Sequence, residues 1–436
     1  MSELLRLRED CRAAAGRGIY SVCSAHPVVL RAALDQARED ASPVLIEATC
    51  NQVNQAGGYT GMTPADFKAF VETLAREAGL PGDRLILGGD HLGPNPWRNQ
   101  PAAAAMAQAE ALVDAYVSAG FHKIHLDASM RCADDPAVLP DAVIAERAGR
   151  LCLRAEQAHG RRGGGPPPVY VIGTEVPMPG GAVEEEAGLR PTAPSDVART
   201  LDLSQATFAR LGLESAWERV VALVVQPGVE FGEASVHDYD RGAAAPLTGA
   251  IARRLPWMYE AHSTDYQSPA ALRQLVEDRF AILKVGPWLT FAFREAVFSL
   301  EQLARELQGR NPRYSCPPLA ATLEAAMLRE PGHWQDHHHG TAGEQAFARR
   351  FSLSDRSRYY WGDPAVREAL EALFRTLEGP LPLELISQYR PREYDAVRAG
   401  IIRPSGRALA IHSVRRVLGH YAAACGLSMS VAQGGS

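Results

Sequence analysis

The chain has 436 residues, 46% of them apolar and 22% charged, with a net charge of −6 at pH 7. The acidic balance excludes the usual electrostatic profile of a nucleic-acid binder, and no run approaches 18 uncharged apolar residues, so no membrane-spanning helix is expected. Residues 1–16 alternate charge where a secretory signal carries an apolar core, so the expected location is cytoplasmic.

Short apolar, β-branched runs bounded by turn residues predict strands at 20–23, 44–48, 85–87, 123–126, 169–172, 220–225, 257–259 and 281–285. Amphipathic stretches at 26–41, 64–78, 102–119, 141–159, 194–211 and 269–278 predict helices between them, several opening on Pro, Ser, Thr or Asp. Strand–helix alternation over some 300 residues predicts a closed (β/α)8 TIM barrel. An open doubly wound sheet is the alternative, weakened because no G-x-G-x-x-G follows the first strand. The expected division is a catalytic barrel over 1–300 and a helical C-terminal extension over 301–436, acting as a lid or a subunit contact. That extension carries helical stretches at 319–328, 364–377 and 413–424 and two aromatic-basic patches, at 352–361 and 386–391. Seven scattered cysteines with no C-x-x-C pair read as reduced thiols, Cys23 and Cys50 standing at strand ends.

The residues that follow each strand carry the chemistry. They include Glu47 and Asn51, Asp90, His91 and Asn95, Asp127, Glu175, Gln226 and Glu230, His262 to Asp265, and Lys284 with Gly286. The C-terminal ends of barrel strands converge on one mouth, which is where barrel enzymes place their active sites. His91 and His262, on separate strands, are candidate ligands for a divalent metal, with Glu175 or Gln226 adding oxygen. Two nitrogens plus oxygens suit zinc, with manganese and cobalt as alternatives. Ser263, Thr264, Asp265, Lys284 and Gly286 follow the seventh and eighth strands, where barrels commonly bind phosphate. Lys284 is also placed where a Schiff-base lysine of a barrel aldolase would stand. Tandem His337, His338 and His339 occupy an extension loop and read as a weak metal motif. Neither a G-x-S-x-G elbow nor a Walker A sequence is present, which argues against common hydrolases and P-loop kinases.

Several long motifs are recognisable together. They are SVCSAHP at 21–27, LIEAT at 45–49, NQVNQ at 51–55, GGYTGMTPADF at 57–67, GGDHLGPN at 88–95, YEAHSTDYQ at 259–267 and the extension motif at 352–361. These resemble the GatZ/KbaZ family along nearly the whole chain. The resemblance implies either a non-catalytic subunit supporting a class II D-tagatose-1,6-bisphosphate aldolase or a ketohexose-phosphate 4-epimerase. A tagatose-6-phosphate kinase activity has also been ascribed to members. Class II aldolases are more distantly similar. By that likeness Asp90 is a proton-transfer carboxylate, His91 and His262 are zinc ligands, and the third ligand is Gln226, Glu175 or Glu230. Glu175 doubles as a catalytic candidate, and Glu47, Asn51, Asn95, Asp127, Ser263, Thr264, Asp265, Lys284 and Gly286 are the expected substrate contacts.

Chemistry separates these readings. The C4 proton of a 2-ketose is not α to the carbonyl, so simple deprotonation cannot invert C4. Retro-aldol cleavage of C3–C4, rotation of the aldehyde and re-addition does invert it, using a Lewis acid and a carboxylate. The sequence reading is therefore a metal-dependent epimerase of D-tagatose 6-phosphate and D-fructose 6-phosphate, with the aldolase-supporting subunit as alternative. A sugar-phosphate ligand and a homo-oligomer are expected.

Overall fold

The computed structural model describes residues 2–13, 16–173, 189–254, 256–311, 314 and 316–428, the side chains of 12 and 13 apart. Among the described residues there are ten strands: β1 (Ile19–Cys23), β2 (Val44–Thr49), β3 (Leu85–Leu92), β4 (Lys123–Leu126), β5 (Val169–Ile172), β6 (Val220–Val225), β7 (Glu230–Phe231), β8 (Val236–His237), β9 (Met258–Ala261) and β10 (Phe280–Val285). Eight of them close a parallel barrel in the order β1-β10-β9-β6-β5-β4-β3-β2, so the fold is the expected (β/α)8 TIM barrel with a helical C-terminal region. β7 and β8 form a small antiparallel hairpin beyond β6, in a stretch where the sequence pattern showed no strand.

The first ten helices are α1 (Glu3–Ala13), α2 (Pro27–Glu39), α3 (Pro64–Ala78), α4 (Ala102–Ala119), α5 (Asp141–Arg162), α6 (Pro194–Arg210), α7 (Glu214–Trp217), α8 (Arg241–Ala252), α9 (Pro269–Glu277) and α10 (Pro287–Arg310). Local chemistry fixes their ends. α3 starts on a capping box in which the Thr63 side chain accepts from the Asp66 N–H and Asp66 returns the bond, with Pro64 at the first turn. It stops at Gly79, whose φ of 72° is left-handed.

The tail adds α11 (Leu319–Arg329), α12 (Ala342–Phe351), α13 (Pro364–Thr376), α14 (Leu383–Tyr389), α15 (Pro391–Arg398) and α16 (Gly406–Ala424). α10 runs on past residue 300, so the expected 300/301 division falls inside one continuous helix. α16 packs against α2, α9 and α10, within the ring of helices around the barrel. Among the described residues no helix is long and apolar enough to cross a membrane.

Two apolar clusters result. The larger lies between strands and helices; the smaller fills the lower barrel, where Ile19, Leu45, Ile86, Val169, Met258 and Ile282 meet Leu4, Leu7 and Cys11 of α1. α1 seals that end, and Arg8 donates to the carbonyls of Glu218 and Val220 at the start of β6. Above this plug the inward positions turn polar. Strand side chains alternate with period two, so Leu45 is followed on the same face by Glu47, Met258 by Glu260, and Ile282 by Lys284.

Candidate active site

The mouth is built on a kink in β3. The β3–β4 register runs Gly88↔Lys123 and Gly89↔Ile124, then jumps to Leu92↔Leu126. Three residues of β3 thus oppose two of β4, a bulge that brings neighbouring Asp90 and His91 into one cluster where a regular strand would send them to opposite faces. His91 sits at φ 49°, a left-handed conformation rare for a side-chain-bearing residue. Gly88 is required for a different reason: a Cβ there would stand 2.4 Å from Glu47 Oε1.

Beneath the mouth lies a buried charge layer. Lys123 Nζ stands 2.6 Å from Glu47 Oε1 and 2.7 Å from Glu260 Oε2, and Lys284 Nζ stands 2.9 Å from Asp90 Oδ2 while also pairing with Glu47. Ser21 Oγ donates to Glu47 at 2.5 Å. Buried charges are tolerated only when paired in this way. Burial alone would push the Lys284 ammonium down. Asp90, Glu47 and Glu260 outweigh it, and its pKa lies well above the ordinary lysine value. A fully protonated lysine is no nucleophile, so the geometry does not support Lys284 as a Schiff-base former. Burial likewise opposes the Asp90 carboxylate, but His91, Lys284 and His125 hold it well below the usual range.

Three imidazoles gather above that layer. The ring centres of His91, His125 and His262 are 4.9 to 5.4 Å apart. Each ring has one nitrogen against a carboxylate: His91 Nδ1 to Asp127 Oδ2, His125 Nδ1 to Asp90 Oδ1 and His262 Nε2 to Glu260 Oε1, all at 2.9 Å. A ring that donates to a carboxylate presents the lone pair of its other nitrogen, the arrangement that metal-binding histidines adopt. His125 Nε2 is buried with no hydrogen-bond partner, the orphan atom a metal would satisfy. Three imidazoles on one ion, at metal–nitrogen lengths of about 2 Å and in tetrahedral directions, have ring centres about 5 Å apart. Donor atoms of Asp90, His125, Glu260 and His262 also all lie within 4.8 Å of one another. The residues present therefore fit a divalent metal. Burial drives His262 down to about 4, so it is neutral and able to ligate at pH 7. Burial opposes the charge on Asp127, but the bond from His91 brings the carboxyl down to about 2, keeping it ionised behind its ring.

The structure redraws the expected ligand set. Gln226 does not reach the imidazoles: its Oε1 accepts from the Gly228 and Val229 N–H groups and closes its own turn. Glu230 Oε1 accepts from the Phe231 N–H at the start of the hairpin. A third imidazole, His125, stands beside His91 and His262 instead. Glu175 lies outside the described residues. Of the expected substrate contacts, Asn51, Ser263, Asp265, Lys284 and Gly286 line a mouth cavity of about 90 Å³. Glu47 and Asp127 lie beneath it as partners of lysine and histidine. Asn95 opens a turn (Asn95–Trp97) away from the cavity lining. Thr264 Oγ1 donates to the Lys284 carbonyl at 2.5 Å, which ties two strand ends together.

The expected phosphate position after the seventh and eighth barrel strands is already filled. Asp265 Oδ1 accepts from the Gly286 and Trp288 N–H groups at 3.0 and 2.8 Å, so a carboxylate of the chain occupies the N-terminus of α10. Tandem histidines 337–339 are not a metal cluster: His338 pairs with Glu233, and His337 Nδ1 meets Arg356 at 2.7 Å. All seven cysteines are free, and burial pushes the thiols of Cys23 and Cys50 up.

Lys123, His125 and Glu260 received no role from the sequence. A signal existed: Lys123-x-His125-x-Asp127 and Glu260-x-His262 place ionisable residues two apart, on one face of a strand. Tyr59, Arg358 and Tyr359 also line the mouth, the last two from the tail.

A family model described as D-tagatose-1,6-bisphosphate aldolase subunit GatZ/KbaZ-like matches residues 4–426. The chain belongs to the GatZ/KbaZ-like family. A solved relative of this GatZ/KbaZ-like chain, from Sinorhizobium meliloti 1021 and described as a "probable tagatose 6 phosphate kinase", is 49% identical. That match covers 94% of this chain and 100% of the relative, with a TM-score of 0.86. Similarity extends weakly to the fructuronate-tagaturonate epimerase UxaE from Cohnella laeviribosi, at 13% identity over 95% of this chain and 82% of that one, TM-score 0.49. A fructose-bisphosphate aldolase from Campylobacter jejuni matches at 16% identity over 86% and 91%, TM-score 0.43. Membership places the chain in a family described by its likeness to a D-tagatose-1,6-bisphosphate aldolase subunit.

Proposed function

We propose that the chain is a divalent-metal-dependent 4-epimerase interconverting D-tagatose 6-phosphate and D-fructose 6-phosphate by retro-aldol cleavage and re-addition. One observation carries the reading: three imidazoles, each backed by a carboxylate, converge at the barrel mouth beside the Asp90–Lys284 pair. His91, His125 and His262 would hold a zinc, manganese or cobalt ion, which would supply a Lewis acid for the ketose carbonyl. Asp90, kept ionised by Lys284, takes the C4 hydroxyl proton as C3–C4 breaks. The bond's electron pair passes to C3 and the carbonyl, leaving an enediolate and an aldehyde. Rotation of the aldehyde, re-formation of C3–C4 on its other face and return of the proton from Asp90 complete the inversion. Asn51 and Ser263 line the cavity where polar contacts would hold the ketose hydroxyls during that rotation. The same bond is cleaved in a tagatose-bisphosphate aldolase reaction, so the family description agrees with this chemistry.

The test is NMR of the purified chain with D-fructose 6-phosphate and one equivalent of zinc or manganese. C4-epimer signals are expected, abolished by EDTA, and reduced about 100-fold or more in rate by Asp90→Asn. The family description also supports a second reading, a supporting subunit of the aldolase. Absence of turnover alone, joined to stimulation of an added class II aldolase subunit, would replace the epimerase with that reading.

A further inference from the structure

A phosphorylated substrate needs an anion site, and the usual one in this fold is blocked. Asp265 already supplies the negative charge at the N-terminus of α10 and would repel a second anion there. The tail offers a different place. The turn Arg356–Tyr359, entered through Asp355 at φ 43°, brings Arg358 to the mouth, with Arg356 buried behind it. Arg358 lines both the mouth cavity and an adjoining cavity of about 740 Å³ between barrel and tail. Its NH1 is held by the carbonyls of Ser354 and Asp355, and its NH2 donates to Tyr359 Oη at 3.0 Å.

Among the described residues, neither Arg356 nor Arg358 has a carboxylate within ion-pair distance, in contrast to the buried arginines Arg294 (with Asp355) and Arg349 (with Glu324). Arg356 is only 5% exposed, and its Nε has no hydrogen-bond partner. Its other nitrogens meet His337 Nδ1 at 2.7 Å and Tyr359 Oη at 3.4 Å, neither of them a carboxylate. Two adjacent positive charges are thus held in a poorly hydrated wall without an ion pair, the Glu233 and Asp355 carboxylates acting on them only from longer range. Buried charges persist when something pairs them, and here the open side faces the cavity. Tyr359 Oη accepts from both guanidiniums and holds them in place beside the cavity. Tyr59 stands edge-on to the Tyr359 ring at 4.8 Å and walls the same spot.

We propose that Arg358, braced by Arg356 and Tyr359, binds the terminal phosphate of the ketose phosphate, so the tail and not the α10 N-terminus selects phosphorylated substrate. This rests on the epimerase reading for its substrate and on the unpaired arginines for its place. The experiment compares the wild type with Arg358→Gln and Arg358→Lys, each verified as folded by its thermal transition. KM and kcat are measured for D-fructose 6-phosphate and for free D-fructose, and inorganic phosphate binding is followed by 31P NMR. Arg358→Gln is expected to raise KM for D-fructose 6-phosphate roughly 10–100-fold with a smaller change in kcat. It leaves KM for D-fructose unchanged and abolishes phosphate binding, and Arg358→Lys restores part of both losses. An equal effect on the two sugars, or undiminished phosphate binding, overturns the site. If neither sugar is turned over, the epimerase reading fails by itself. The phosphate titration then still decides the site: binding that is lost in Arg358→Gln upholds it, and binding that persists refutes it.

Discussion

His26 stands at the N-terminal boundary of α2 with its ring against Phe293 and Trp361, at 4.4 and 5.8 Å, and its Nδ1 has no partner. Burial lowers its pKa to about 3 from an unfolded value of 6.5. Between those values the unfolded chain binds the extra proton and the folded chain does not, so stability falls as pH falls. The slope from this one group is about 1.4 kcal/mol per pH unit. His26→Phe should flatten it: denaturant midpoints at pH 7 and pH 4.5 should lie closer together in the variant than in the wild type. Lys284 gives a second test at this scale. Because Asp90, Glu47 and Glu260 overcome the effect of burial and keep its ammonium protonated, borohydride added during turnover of D-fructose 6-phosphate should neither inactivate the protein nor label it. Covalent trapping at Lys284 would refute the metal route and restore the Schiff-base one. Lys284 was visible as a strand-end residue, and His26 as the first residue of the expected helix at 26–41. What the sequence did not carry was their surroundings, since a pKa depends on groups such as Glu47 that lie 237 positions away in the chain.

At the scale of the element, β3 decides how the site is assembled. The pattern suggested a strand ending at Leu87, because Gly88-Gly89-Asp90-His91 looks like a turn. The β2 register instead continues to Thr49↔Asp90, so the glycines are strand residues chosen for lack of a side chain. Gly88→Ala would press a Cβ onto Glu47 and disturb both of its lysine partners. The expected cost is about 3–5 kcal/mol, the scale of breaking a buried ion pair, together with loss of turnover. Gly82→Ala is the control: nothing lies within 4 Å of its Cβ, and its effect should stay within about 0.5 kcal/mol. The bulge itself was illegible, because a one-residue offset is set by pairing with β4 and not by the composition of β3.

Across the whole molecule, the tail is part of the barrel's wall. α16 buries Leu409, Val414, Leu418 and Tyr421, and Tyr421 Oη donates to the Thr264 carbonyl at 2.8 Å, next to the mouth. Arg415 pairs with Glu39 on α2, and Arg294 of α10 holds Asp355 at the base of the arginine turn. A chain ending at Arg310 would expose the faces of α2, α9 and α10 that α16 covers. It should show no cooperative thermal transition, whereas a separable extension would leave the barrel's transition intact.

The sequence by itself determined the alternation of strands and helices, hence the barrel, and the family through its long motifs. It also placed Asp90, His91 and His262 at one mouth, because in a parallel barrel every strand's C-terminal end faces the same way. Only the tertiary structure folded Gln226 back on its own turn and set His125 beside His91 and His262, closed the α10 N-terminus with Asp265 and brought Arg358 to the cavity wall. Those three outcomes depend on which side chains reach each other across the barrel and from the tail. Distances between residues far apart in the chain are set by packing, and no local pattern encodes them.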